Sequence, residues 1–158
     1  MQIVIAYKKL SASLEKMGYV VVPINPDWKK PISEQIIPVD SDSIIFGFSM
    51  GAVLAYLIAQ KYPCKKIILA SISPTHTFVY KSFLRFMKKH MSEDEAIKVT
   101  KDVVNIKVKL DTSKTPHITL MGSKEKLTKG ERKPDFIVPG ADHKIDKVYS
   151  EAILKLLA

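Results

Sequence analysis

Apolar residues run along this chain in two rhythms. Six nearly unbroken Val- and Ile-rich runs, at 2–6, 19–24, 43–48, 66–71, 117–121 and 135–138, show no alternation with polar residues. That is the pattern of strands buried on both faces of a parallel sheet. Between them, apolar positions recur at helical spacing over 9–17, about 30–36, 50–62, 79–104 in two pieces, and 144–157. Strands alternating with helices predict an α/β fold, a doubly wound αβα sandwich of three layers around a mainly parallel six-stranded sheet.

One long connection interrupts this rhythm, at about 72–115. It opens with Phe78, Tyr80, Phe83, Leu84, Phe86 and Met87, interleaved with Lys81, Arg85, Lys88 and Lys89. Two readings fit: an amphipathic helix that packs on the sandwich and shows a basic side to water, or a lid that offers an apolar slot. Ser92 and Glu95 form a capping box for a second helix, on which Ala96, Val99 and Val103 share one face. His76, in the loop just before, is placed either at the mouth of a site or in a plain loop.

The segment 43–58, SIIFGFSMGAVLAYLI, joins a buried strand to an apolar-faced helix through Gly47-Phe48-Ser49-Met50-Gly51. G-x-S-x-G between a strand and a helix is the nucleophile elbow, a sharp turn that exposes a serine hydroxyl to a base. Gly47 and Gly51 lack a Cβ, which on this reading lets the strand end and the first helical turn approach each other. The Met50 amide, at the start of the helix, is the candidate donor to an oxyanion.

Such a serine needs a base and an acid on loops after later strands, in the order Ser, acid, His. The run 117–121 ends at Gly122, with Glu125 three residues on, and the run 135–138 leads through Pro139-Gly140-Ala141-Asp142 to His143. Asp142, Asp135 and Asp111 are the rival acids. Asp142 adjoins His143, and a neighbour in sequence rarely turns its carboxylate back onto that ring.

With the elbow at Ser49, the strand-Gly-x-x-acid at Glu125 and the Pro-Gly-x-x-His ending at His143, the chain resembles the α/β-hydrolase family over nearly its whole length. The resemblance implies a minimal α/β-hydrolase fold, a single domain over 1–158 with a short helical cap insertion at about 72–115. On this resemblance the two antiparallel strands that open larger members are expected to be missing. It also implies Ser49 as nucleophile, His143 as base and Glu125 as orienting acid. Glu stands where the family more often has Asp. Where lipase-like members carry a His-Gly run after the first strand, this chain has Tyr7-Lys8-Lys9. The second oxyanion donor is then expected at Tyr7 or Lys8, and Lys8 with Phe83 and Met87 is expected to contact substrate.

Composition adds limits. The single cysteine, Cys64, excludes an internal disulfide and agrees with a cytoplasmic protein. No apolar run is long enough to span a bilayer, and the N-terminus lacks the features of a secretion signal. Four scattered histidines and one cysteine offer no metal-site spacing, so neither metal nor organic cofactor is expected. The net charge is +9, and lysines cluster at 81–101 and 124–133. Interleaved with acids, they point away from nucleic acid and toward either a solubilising surface or a rim that draws anionic substrates. The expected partner is a small acyl substrate, anionic ones included, for a monomer or homodimer acting away from membranes. The expected reaction is ester or thioester hydrolysis through an acyl-enzyme. Amide cleavage or acyl transfer on the same triad, or a binding protein that retained the elbow without turnover, are the alternatives.

Overall fold

The computed structural model describes residues 2–4 and 8–158, with side chains from Lys9 onward. In chain order the elements are β1 (Gln2–Val4), α1 (Lys8–Lys16), β2 (Val20–Val21), β3 (Ile44–Phe48), α2 (Met50–Lys61), β4 (Lys66–Ala70), α3 (Tyr80–Met87), α4 (Glu93–Asn105), β5 (His117–Gly122), β6 (Phe136–Val138) and α5 (Lys147–Leu157). The strands lie side by side in the order β2-β1-β3-β4-β5-β6, and every neighbouring pair is parallel.

The period of two along the central strands divides the interior. Ile45, Ile67 and Leu69 point into one apolar layer, which α2, α3 and α4 cover through Val99, Val103, Phe83 and the inner face of α2. Ile44, Phe46, Phe48, Ile68 and Ala70 point into the other, covered by Leu10 and Leu14 of α1 and by Tyr149 and Ile153 of α5. A helix layer on each face explains why these strands carry no polar alternation. Each fully buried Ile or Leu here contributes about 2 kcal/mol by removal from water.

Prolines shorten two elements that the apolar pattern overstates. The run 19–24 pairs with β1 only at Val20–Val21, because it forms the sheet edge and Pro23 has no N–H for a ladder. The helix expected over about 30–36 is a single 3₁₀ turn, Ile32–Gln35. Pro38 disfavours a helical conformation at Ile37, and the Gln35 side chain instead donates to the carbonyls of Asp27, Lys30 and Pro31. Residues 5 and 6 of the expected first strand lie outside the described residues.

The long connection between β4 and β5 contains two helices with different surroundings. Ala96, Val99 and Val103 of α4 are fully buried against the sandwich, and the Ser92–Glu95 capping box starts that helix. In α3, Phe83 and Met87 face inward while Tyr80 and Phe86 remain exposed. The α4 half is therefore a layer helix, and α3 is the part that reaches the carboxyl ends of the strands.

Candidate active site

Four strands deliver polar side chains to one end of the sheet, and Ser49 is the first. It directly follows β3 at φ 54° and ψ −121°, a left-handed backbone conformation that costs a non-glycine residue roughly 1–3 kcal/mol. Its amide donates to Ala70 O at 2.8 Å, and its carbonyl accepts from Ala52 N at 2.9 Å. Although it stands at the N-cap of α2, its hydroxyl makes no capping bond. The Oγ is instead turned to His143 Nε2, 3.0 Å away.

The two glycines of the elbow play different parts. A Cβ on Gly47 would lie 2.2 Å from Gly51 O and 2.6 Å from Ala52 Cα, so only glycine lets β3 meet α2 there. A Cβ on Gly51 would meet nothing within 4 Å. The expectation that Gly51 also serves close approach is thus corrected: the contact is Gly47 against the backbone of Gly51.

His143 reaches the site from the connection between β6 and α5. Its Nδ1 lies 2.7 Å from Glu125 Oε1, and its ring sits 5.2 Å from that of Phe48, centroid to centroid. Glu125 stands on the turn after β5, with only 6 % of its side chain accessible. Gly122 is required at that turn, since a Cβ would fall 2.4 Å from Ala141 O and 3.1 Å from Glu125 Oε2. The acid and histidine loops are laced together by Ser123 N to Val138 O, 3.0 Å, and Lys124 N to Ala141 O, 3.0 Å.

Both carboxylate oxygens of Glu125 are occupied. Oε1 accepts from the Ser71 hydroxyl and faces His143, while Oε2 accepts from Tyr149 Oη at 2.7 Å and Gly122 N at 2.6 Å. Burial pushes the carboxyl pKa up, but the bonds from Ser71, Tyr149, Gly122 and His143 outweigh it and hold the group below the usual carboxylate range. Glu125 is therefore an anion at neutral pH. Tyr149 is fully buried, and its phenol is pushed well above its ordinary value by that burial and by the carboxylate it serves.

The three rival acids are engaged elsewhere. Asp142 accepts the backbone N–H of His143 at 2.8 Å, Asp135 accepts both the amide and the hydroxyl of Thr119 at 2.8 Å, and Asp111 pairs with Arg132. Ser71 and Tyr149 were not among the expected site residues. The signals were slight: a serine directly after a buried strand, and a hydroxyl on the apolar face of a helix. Ser71 shares with Ser49 a positive φ, 64°, at the end of the adjacent strand, and its Oγ lies 3.1 Å from His143 Nδ1.

A cavity of about 540 Å³ opens on Ser49 and His143, bordered by Met50 and Gly51. Its walls are mostly apolar, with Trp28, Phe78, Phe83, Phe86, Met87 and Met91, and His90 adds an imidazole. Phe83 and Met87, the residues expected to contact substrate, line this cavity, as does Trp28, whose loop carries no regular pattern to mark it in the sequence. No lysine, arginine or carboxylate among the described residues lines this cavity. A second cleft of about 480 Å³ meets the same serine and histidine from the side of His76, Thr77, Ser82 and Thr128. His76 does border the site; its Nδ1 lies 2.8 Å from Glu131 Oε1, and burial pushes its pKa down against the opposing pull of that carboxylate. Tyr7 and the Lys8 side chain lie outside the described residues. Among the described residues no group of three His, Cys, Asp or Glu is assembled as a metal would require.

Compared by sequence, the chain matches no family model and no curated protein. Compared by structure, it has the α/β-hydrolase fold. An extracellular α/β-hydrolase from a Paenibacillus species superposes with a TM-score of 0.59 at 12 % identity, over 100 % of this chain and 98 % of that one. The thioesterase domain that cyclises the lipopeptide antibiotic surfactin gives a TM-score of 0.55 at 11 % identity, over 99 % of this chain and 90 % of that one. A lipase-esterase related protein from Clostridium acetobutylicum gives 0.55 at 13 % identity, over 99 % and 92 %. Among the described residues no helix is long and apolar enough to cross a membrane.

Proposed function

We propose that the protein is a serine hydrolase that cleaves carboxylic esters or thioesters of small acyl substrates through an acyl-enzyme. The observation that carries this reading is the placement of the His143 ring, with Nε2 3.0 Å from Ser49 Oγ and Nδ1 2.7 Å from Glu125 Oε1. On this reading Ser49 Oγ attacks the substrate carbonyl carbon while His143 Nε2 takes the hydroxyl proton. The Met50 N–H at the open end of α2 receives the oxyanion, and Tyr7 is assigned the second donor. As the bond to the leaving alkoxide or thiolate breaks, His143 returns the proton to that group. Water then attacks the acyl-Ser49 carbonyl with His143 again as base, the acyl–Oγ bond breaks as His143 returns the proton to Ser49 Oγ, and the carboxylic acid departs. Glu125 stays ionised throughout, fixing the imidazole tautomer and stabilising its charged form.

The acyl part occupies the apolar cavity, and the leaving group departs through the cleft beside His76. The single domain carries α3 as its cap, works in the cytoplasm as a monomer or homodimer, and uses neither cofactor, nucleic acid nor membrane. The lysine-rich exterior favours anionic substrates through its long-range field rather than by contact. Acyl transfer to a nucleophile other than water is the second reading, supported by the shared fold of the thioesterase domain that cyclises surfactin. A fluorophosphonate probe tests the nucleophile. The wild type should label and hydrolyse a short p-nitrophenyl ester, and Ser49→Ala should do neither while melting as a folded protein. Equal labelling of both would remove Ser49 from the role.

A further inference from the structure

The second glycine of the elbow is unexplained by the turn itself. Gly51 has no positive φ, it lies one residue inside α2, and a Cβ there would meet nothing within 4 Å. A glycine inside a helix is less favourable than alanine, so neither conformation nor crowding accounts for it. What Gly51 does have is position: it borders the apolar cavity next to Ser49 and Met50. Space beside its Cα is space beside the reacting hydroxyl.

We propose that Gly51 is the specificity-determining residue that sets how large an acyl group this cavity accepts, and that the cavity takes uncharged medium-chain or aryl acyl groups. This rests on the reading of Ser49 as an acyl-transferring nucleophile. The cavity, about 540 Å³, falls in the range that encloses drug-sized ligands and far exceeds the needs of an acetyl group. Met87 and Met91 supply adaptable thioether walls, and Trp28 and Phe86 supply aromatic faces. With no lysine, arginine or carboxylate among its described walls, and only the imidazoles of His90 and His143 as polar rings besides the Trp28 indole, the cavity offers an ion little to replace its water, whereas an alkyl chain or ring replaces poorly held water. Any side chain at 51 larger than hydrogen would project into the first part of that space and exclude the methylenes nearest the carbonyl.

Two measurements test this independently. The first is the ratio of kcat/KM for the octanoyl over the acetyl p-nitrophenyl ester in wild type, Gly51→Ala and Gly51→Val. Excluding one or two methylenes should lower that ratio about tenfold or more for Gly51→Val, with Gly51→Ala between. Shortening the facing wall by Met87→Ala should raise it. The second needs no turnover. Trp28 is the sole tryptophan and lines the cavity, so octanamide titrated into the protein should change its emission, and the apparent Kd should weaken by a similar factor in the Gly51 variants. An unchanged ratio, or equal falls for both esters, overturns the proposal and returns Gly51 to the mechanics of the turn. A wild type that responds to octanamide in a Gly51-dependent way yet fails to label with a fluorophosphonate would remove the hydrolase reading and retain the pocket assignment. Gly51→Ala keeps the test decisive if Gly51→Val does not fold.

Discussion

Tyr149 Oη donates a 2.7 Å hydrogen bond to Glu125 Oε2, so a buried phenol of α5 holds the far oxygen of the acid whose near oxygen faces His143. Three hydrogen-bond donors besides His143 converge on this carboxylate, namely the Ser71 hydroxyl, the Tyr149 phenol and the Gly122 amide. They keep the group charged and fix its plane.

Tyr149→Phe should therefore lower kcat about tenfold with little change in KM, and cost about 2 kcal/mol of stability, the usual scale for a bond to a charged group. The pH dependence has a definite sign. Glu125 has a folded-state pKa below its ordinary value of 4.5, so its contribution is present above that value and lost as pH falls through the folded one. Removing the phenol moves the folded value back upward. Urea melts across pH should thus show the largest deficit of the variant near neutrality and a shrinking deficit in acid. A deficit independent of pH would make Tyr149 a packing residue only.

Glu125→Gln should reduce kcat about a thousandfold or more, because an amide can neither hold the required imidazole tautomer nor stabilise its cation. Asp142→Asn should stay within about threefold, since an asparagine oxygen still accepts the His143 amide that Asp142 now binds. Steady-state kinetics on one short ester decides between them. The reverse order would move the acid to Asp142.

Gly47→Ala should destabilise the fold by about 3 kcal/mol or more, as forced overpacking against backbone does. The offending atoms are Gly51 O and Ala52 Cα, neither of which can rotate away. Thermal melts should place this variant far below Gly51→Ala, whose added methyl meets open space. Equal melting temperatures would contradict the packing drawn for β3 against α2.

The net charge of +9 with no lysine or arginine among the described walls of the cavity predicts an effect on encounter, not on chemistry. Comparing matched esters with neutral and anionic leaving groups at about 0.05 and 0.5 M salt should show a kcat/KM advantage for the anion that shrinks as screening shortens, with the ratio of kcat values unchanged. A salt-independent advantage would instead indicate a direct ionic contact. Equal rates at both salts would reduce the lysines to a solubilising coat.

The parts of the fold written locally were the ones legible in the sequence. Buried strands announce themselves through Ile67, Ile68 and Leu69, and a strained serine through the glycine that must precede its turn. Ser49, Glu125 and His143 each carry a mark in their own neighbourhood, so their convergence could be anticipated. Ser71 and Tyr149 carry none, because their role is defined by a carboxylate 54 and 24 residues away in the chain. The shortened β2 and the single turn at Ile32–Gln35 depart from the apolar pattern for another reason: Pro23 and Pro38 override the periodicity there. Gly51 was misread because a motif groups two glycines that the packing separates.

Ser49 and His143 are 94 residues apart in the chain, and the histidine hangs from β6, a three-residue strand that pairs with β5 alone. Edge elements held on one side open at lower free energy than central ones. On the proposed mechanism, turnover would gauge the sheet's border rather than its middle: mild denaturant should silence the protein while the hydrogens of β3 and β4 amides still resist exchange. The proposed chemistry is thus tied to one margin of the sheet rather than to its centre.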